Sequence, residues 1–425
     1  MNQIIITIFV LGYIAIAAEH LIKINKAAVA LLTGVLCWAV LITGSSDALT
    51  VRYQLMEHVG EIAGILFFLM GAMTIVEIID MHNGFNVITK KIASAGSRRL
   101  LWLTCILSFF LAAVLGNLTT TIVVVSLLNK LIPKRENLPL FIGTVVISVN
   151  AGGSWSPIGD VTTTMLWIGG RVTALPVVME LFIPSLVCAL VPLLWMTFKI
   201  KNEPANSATS TNKPAERSEI IRQNTVFFLG LFCLLSVPAF KAATGLPPFV
   251  GMLFSLGILW VVTEFFHRKN SSDHQTAHSV AKALQKIDMP TILFFLGILL
   301  SVSALESAGI LFSLGASLEK SIGNSTVIVF LIGLLSAIVD NVPLVAAAMK
   351  MYPLSHYATN HDFWILLSYC AGTGGSILII GSAAGVAAMG MAKIDFFWYL
   401  KKIAPLALLG YCAGIIMYLI QSALF

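Results

Sequence analysis

The sequence predicts an all-α polytopic membrane protein: an inverted-topology repeat of about five spans per half, with a re-entrant hairpin and a discontinuous helix in each. Three observations lead there. The 425 residues are 58% hydrophobic and 11% charged, with a mean hydropathy of +0.92, a composition suited to lipid rather than water. The basic residues fall mainly in alternate loops. A short polar phrase also occurs twice inside apolar stretches: Asn-Ala-Gly-Gly-Ser at Asn150–Ser154 and Gly-Thr-Gly-Gly-Ser at Gly372–Ser376. Backbone that leaves a helix inside a bilayer must line a protein cavity. Two such breaks in corresponding places mark the binding site of a secondary transporter.

Apolar stretches predict spans near 3–22, 27–44, 59–79, 138–169, 175–198, 223–240, 246–266, 288–306, 362–391 and 403–424. Met1 to Ile22 has no base before its apolar core, so it reads as a first span rather than a leader. One set of alternate loops and span ends holds 21 of the 26 Lys and Arg, among them Lys26, Lys90, Lys91, Lys134, Arg135, Lys201, Lys213, Lys269 and Lys286. The other set holds Arg52, Arg171, Lys241, Lys320 and Lys350. Cytoplasmic loops carry the excess, which puts both termini on the outer side of the membrane. The net charge of +6 is thereby accounted for, and a nucleic-acid partner is not expected. All six cysteines lie in apolar segments without CxxC spacing and read as buried thiols. No cofactor is expected.

The first repeat covers 1–200, with a hairpin at 100–130 and a broken helix at 138–169. A polar cytoplasmic linker follows at 201–222. The second repeat covers 223–425, with a hairpin at 324–350 and a broken helix at 362–391. Landmarks recur in order: Ile65–Leu69 as Ile292–Leu296, Glu77 as Glu306, Gly116-Asn117 as Asp340-Asn341, then the Gly-Gly-Ser breaks. The amide-to-break spacing is 35 residues from Asn117 to Gly152 and 33 from Asn341 to Gly374. An odd number of spans per half turns the second copy over. Both hairpins have arms of about 11–17 residues, short of the roughly 20 that cross a bilayer, with Asn117 and Asp340-Asn341 at their tips.

The polar residues of hairpins and breaks form the candidate site. They are Asp160, Asp340, Asn117, Asn341, Asn150, Ser154, Ser156, Thr119, Thr120, Thr164, Thr373 and Ser376. Ser156-Pro157 reads as a helix restart, stacking Ser156, Asp160 and Thr164 on one face, with free carbonyls near Val149 and Asn150. This inventory is neutral oxygen plus two carboxylates, with every base on a loop or span end. Hard cations such as sodium take such ligands. A buried carboxylate holds a sodium ion or a proton but not both, so alternating access would convert competition at Asp160 and Asp340 into exchange. Sodium is expected at Asp160, Asp340, Asn117 and Asn341. Glu77 and Glu306 are candidate proton-pathway acids.

The run Ser156-Pro-Ile-Gly-Asp-Val-Thr-Thr-Thr-Met-Leu-Trp-Ile168, with Gly116-Asn-Leu-Thr-Thr-Thr121 and Asp340-Asn-Val-Pro343, resembles the NhaD-type sodium/proton antiporters of the ion transporter superfamily. The resemblance implies export of sodium, and of lithium, in exchange for protons at alkaline pH, in the service of pH homeostasis. It also implies a homodimer and an elevator-like movement of the hairpin-bearing core.

Other readings stand beside this one. Asn117, Asn341, Ser154 and Ser156 could simply cap broken helix ends, and the threonines could bond their own helices. Glu61 and Asp288 read as interfacial acids, and Glu19-His20 as solvated. A carrier of the same fold for arsenite or for an organic anion such as a dicarboxylate is the alternative function. A channel would also use acids and carbonyls. An intramembrane aspartyl protease is disfavoured, because Asp160 follows Ile158-Gly159 and lacks a Gly-x-Gly-Asp pattern. The topology is testable: a reporter fused after Phe425 reads out on the periplasmic side, and a cytoplasmic readout contradicts the charge assignment.

Overall fold

The structure, a computed structural model, describes residues 1–85, 96–132, 137–200, 217–268 and 280–424, and every regular element among them is helical. The chain opens with α1 (Asn2–Ala17), α2 (Glu19–Ile22), α3 (Lys26–Gly44) and α4 (Ala48–Met81). Next come α5 (Ser97–Leu115), α6 (Asn117–Leu131), α7 (Leu138–Ser154), α8 (Val161–Ile168) and α9 (Ala174–Lys199). Then follow α10 (Arg217–Thr244), α11 (Pro248–Arg268), α12 (Val280–Lys286), α13 (Met289–Ser307), α14 (Ile310–Ile322) and α15 (Ser325–Leu335). The chain closes with α16 (Asn341–Met351), α17 (Asp362–Gly374), α18 (Ala383–Ala392), α19 (Phe396–Lys402) and α20 (Ala404–Leu424). Short polar side chains start several of these by accepting a first-turn N–H: Asn25 for α3, Asp47 for α4, Asp288 for α13 and Asn324 for α15.

Among the described residues, eight helices are long and apolar enough to cross a membrane: α3, α4, α5, α9, α10, α11, α13 and α20. Three points differ from the ten spans expected. The segment at 3–22 is a 16-residue helix that breaks at Ala18. There Glu19 Oε1 turns back to accept the backbone N–H of Lys26 at 3.0 Å. The first arm of hairpin one is a 19-residue helix, longer than the sequence suggests. Ser97, Arg98 and Arg99 extend its apolar run by a turn, and Arg98 Nε donates to the Ile200 carbonyl at 3.1 Å. Residues 217–222, expected as linker, already belong to α10. The rest of that linker, 201–216, lies outside the described residues, as do Lys90, Lys91, Lys134, Arg135, Lys201, Lys213, Lys269 and Phe425.

The two predicted helix breaks are present. Residues 155–160 separate α7 from α8, and 375–382 separate α17 from α18. Both α7 and α17 are buried nearly all round, so they form the centre of the bundle. Each packs along the helix preceding a hairpin tip, α7 on α5 and α17 on α15. Both crossings are built on glycine. A Cβ on Gly152 would stand 2.1 Å from the Phe109 carbonyl oxygen, and one on Gly374 would stand 2.0 Å from that of Gly333. Across the centre, α8 packs on α16 and α6 on α18. Outside them α3 runs along α13, α4 along α11 and α9 along α20.

The close crossings make a prediction. Gly152→Ala and Gly374→Ala each destabilise the protein by about 1–3 kcal/mol through overpacking against backbone. Gly257→Ala, where a Cβ meets nothing within 4 Å, changes little. Thermal unfolding in detergent reads this out, and equal midpoints for all three variants would contradict the packing.

Candidate functional site

The first residues of four helices line one cavity of about 130 Å³. They are Gly116 and Asn117 for α6, Asp160 and Val161 for α8, Asp340 and Asn341 for α16, and Ser382 and Ala383 for α18. Helix N-termini carry unsatisfied N–H groups and a partial positive charge, so they favour anions and oxygen atoms. The chain itself supplies both. Asp340 accepts from the Val342 N–H at 3.2 Å, and Ser382 accepts from the Gly385 N–H at 3.1 Å.

Asp160 is the exception. It holds the capping position of α8 but makes no side-chain cap to the helix backbone. Its Oδ2 instead accepts from Thr162 Oγ1 at 2.9 Å and from Asn341 Nδ2 at 3.2 Å, the latter donor coming from the other half of the chain. Asp160 is only 6% exposed. Gly372 of α17 approaches so closely that a Cβ there would lie 3.0 Å from Asp160 Oδ2 and 2.3 Å from Ser154 Oγ.

A second chain of bonds crosses the centre in the opposite sense. Asn117 Nδ2 donates to Asn150 Oδ1 at 3.3 Å, and Asn150 Nδ2 donates to Ser382 Oγ at 3.0 Å. Asn117 Oδ1 is buried and has no hydrogen-bond partner. Each hairpin-tip amide therefore reaches toward the cap of the other half's broken helix, Asn341 directly and Asn117 through Asn150.

The candidate residues divide accordingly. Asp160, Asn341, Asn117, Asn150, Asp340, Thr119 and Thr164 gather at or beside the cavity. Ser154, Thr373 and Ser376 bond within their own helix or turn, to the carbonyls of Asn150, Tyr369 and Thr373. Thr120 is buried with a free hydroxyl. Glu77 and Glu306 stand apart from the cavity wall in ion pairs, Glu77 with Lys286 at 3.1 Å and Glu306 with Lys350 at 2.9 Å. Lys350 also pairs with Glu61 at 3.0 Å.

Three local expectations are corrected. The second half-helix starts after Asp160, not at Ser156. Ser156 to Gly159 forms a β-turn, closed by the Gly159 N–H on the Ser156 carbonyl at 3.3 Å. Pro157 thus sits at the second turn position, which suits it as well as the first turn of a helix does. Ser156 accordingly leaves the face expected to carry Asp160, and Thr164 Oγ1 donates to the Pro157 carbonyl at 3.0 Å. The first half runs on to Ser154, so Val149 and Asn150 lie inside the helix, and the Asn150 carbonyl accepts from Ser154 Oγ at 2.7 Å. Finally, the core is not free of bases. Lys26, expected on a loop, reaches Asp340 with Nζ to Oδ2 at 3.5 Å. Nothing local in the sequence signals this contact, because the partners are 314 residues apart.

A bundle of membrane-length helices with four helix N-termini and a buried carboxylate at its centre is the architecture of a membrane transporter, and its relatives are transporters rather than enzymes. Residues 13–367 match the model of the citrate transporter family, CitMHS, and the chain belongs to that family. It is 47% identical to Sodium/proton antiporter 1 of Arabidopsis thaliana, over 97% of this chain and 71% of that one. It is 33% identical to the Na(+)/H(+) antiporter NhaD of Vibrio cholerae, over 98% of this chain and 91% of that one, so the resemblance to NhaD-type antiporters holds. In fold it resembles the crystal structure of the YdaH transporter of Alcanivorax borkumensis, with a TM-score of 0.60 and 14% identity. That match covers 94% of this chain and 99% of the other.

Proposed function

We propose that the protein exchanges sodium, and lithium, for protons by alternating access, exporting the metal across a bacterial inner membrane. The observation that carries this reading is Asp160: a buried carboxylate at a helix break, faced by an amide from the other half. Among the described residues Asp340 is ion-paired with Lys26, and no base is ion-paired with Asp160. Asp160 is thus the acid at which a sodium ion and a proton compete, with Asn341 and Asn117 as neighbouring oxygen donors and Asp340 as the second acid. The names of the 47% and 33% identical relatives support sodium and protons as the exchanged ions.

The division into inverted repeats, 1–200 and 223–425, belongs to the same proposal. Matching contacts support it: Gly152 against Phe109 and Gly374 against Gly333, with Gly159 and Gly381 held against the carbonyls of Ala112 and Ser336. Phe109 and Gly333 each stand seven residues before the hairpin tips Gly116 and Asp340. The periplasmic termini rest on loop charge. The elevator-like movement and the homodimer rest on the family resemblance.

A second reading, an organic-anion carrier, is supported by the description of the matching family as a citrate transporter. The four helix N-termini would suit an anion, but two of them already hold the chain's own carboxylates. Everted membrane vesicles with an imposed pH gradient separate the two. Sodium or lithium dissipates the gradient in the wild type, Asp160→Asn abolishes the response, and Asp340→Asn strongly lowers it. A response to potassium alone, or citrate uptake without sodium, would overturn the exchange reading.

A further inference from the structure

Asp340 forms a wall shared by two cavities. One is the cavity that holds Asp160. The other, of about 100 Å³, is lined by Tyr13, Glu19, Lys26, Phe294 and Asp340. Lys26 is fixed at the first position of α3 by its backbone N–H on Glu19 and by the Asn25 cap. Its ammonium lies 4.4 Å over the Phe294 ring centroid and 3.5 Å from Asp340 Oδ2. Both side chains are largely covered, at 27% and 16% exposed.

We infer that Lys26 is a resident counter-cation for Asp340, a positioning residue that leaves Asp160 as the one carboxylate the cargo must neutralise. This rests on the sodium–proton reading above and adds to it. Asp160, Asp340 and the Lys26 ammonium paired with it carry a net charge of −1 when no cargo is bound; Glu19 lines only the second cavity and contributes a constant charge outside this set. One sodium ion or one proton on Asp160 makes it neutral. An uncompensated charge is costly to carry through a low-dielectric region. Either loaded form can therefore cross, while the empty form is held back, and that is the condition for tight coupling. Without Lys26 the empty site would carry −2, and a single cation would leave it charged. Lys26 acts here as a fixed charge, and no change in its protonation is required.

The test is a double-mutant cycle in proteoliposomes under a clamped membrane potential. Asp340→Asn strands Lys26 as an unpaired positive charge beside the site, and exchange falls about tenfold or more. Lys26→Gln/Asp340→Asn removes both charges together and keeps a capping side chain on α16, so exchange returns most of the way to wild type. Lys26→Gln alone removes a positive charge and leaves the negative charge of Asp340 uncompensated near Asp160. At alkaline pH, where protons compete little, the KM for sodium falls about tenfold while kcat also falls, from the Coulomb attraction of one extra charge at an effective dielectric near ~20. Lys26→Arg keeps the wild-type KM. A double variant no better than Asp340→Asn, or a KM for Lys26→Gln equal to wild type, overturns the inference and makes Asp340 an ion ligand. If the wild type moves no sodium, the exchange reading itself fails. The pairing is then decided by thermal unfolding: the double variant is more stable than Asp340→Asn if Lys26 is its partner, and equal stability rules the pairing out.

Discussion

Four helix N-termini meet at one cavity, and the rest of the architecture depends on how their positive ends are satisfied. Asp340 and Ser382 each turn back onto their own helix as caps. Asp160 does not. It is held by Thr162 and by Asn341 of the other half, so its carboxylate faces the cavity. Convergent N-termini suit negative charge. Here the negative charge belongs to the protein, which is what the proposed exchange of a small cation requires. At α16 that field falls on a resident acid, Asp340, and at α18 on the Ser382 hydroxyl.

The crossings that bring these termini together are steric in origin. α7 and α17 reach the centre because Gly152 and Gly374 let them lie directly on the backbones of α5 and α15. Gly159 and Gly381 then let the chain turn beneath the hairpin carbonyls before the second half-helices begin. Polar side chains on the helices around the breaks bond backbone carbonyls near them. Thr164 covers the Pro157 carbonyl, Ser368 the Ser154 carbonyl and Ser336 the Ala371 carbonyl. Thr164 and Ser376, which look like ion ligands in the sequence, bond carbonyls at the breaks, where lipid offers no other donor.

Much of this is legible in the sequence. Membrane composition, the doubled Gly-Gly-Ser phrase and the Asn117/Asn341 pair are local signals, and each marks a position where lipid-facing helix is physically excluded. Asp160 was legible as the acid next to a break. What sequence could not reveal is long-range pairing. Lys26 looks like any base at the start of an apolar run, and Asn150 looks like a chain break rather than a bridge to Ser382, 232 residues away. Ser156-Pro157 misled for a different reason: the same dipeptide starts a helix or a β-turn, and Gly159 two residues on settles it as a turn. The arm Ser97–Leu115 looks short in the sequence because its first turn, Ser97-Arg98-Arg99, is polar.

In the proposed exchange sodium and a proton compete for Asp160. The most direct measurement is proton release when sodium is added to the purified protein in weakly buffered detergent solution. The expected result is release of protons that saturates with sodium and disappears in Asp160→Asn. Sodium binding without proton release, or release that persists in Asp160→Asn, would contradict the account.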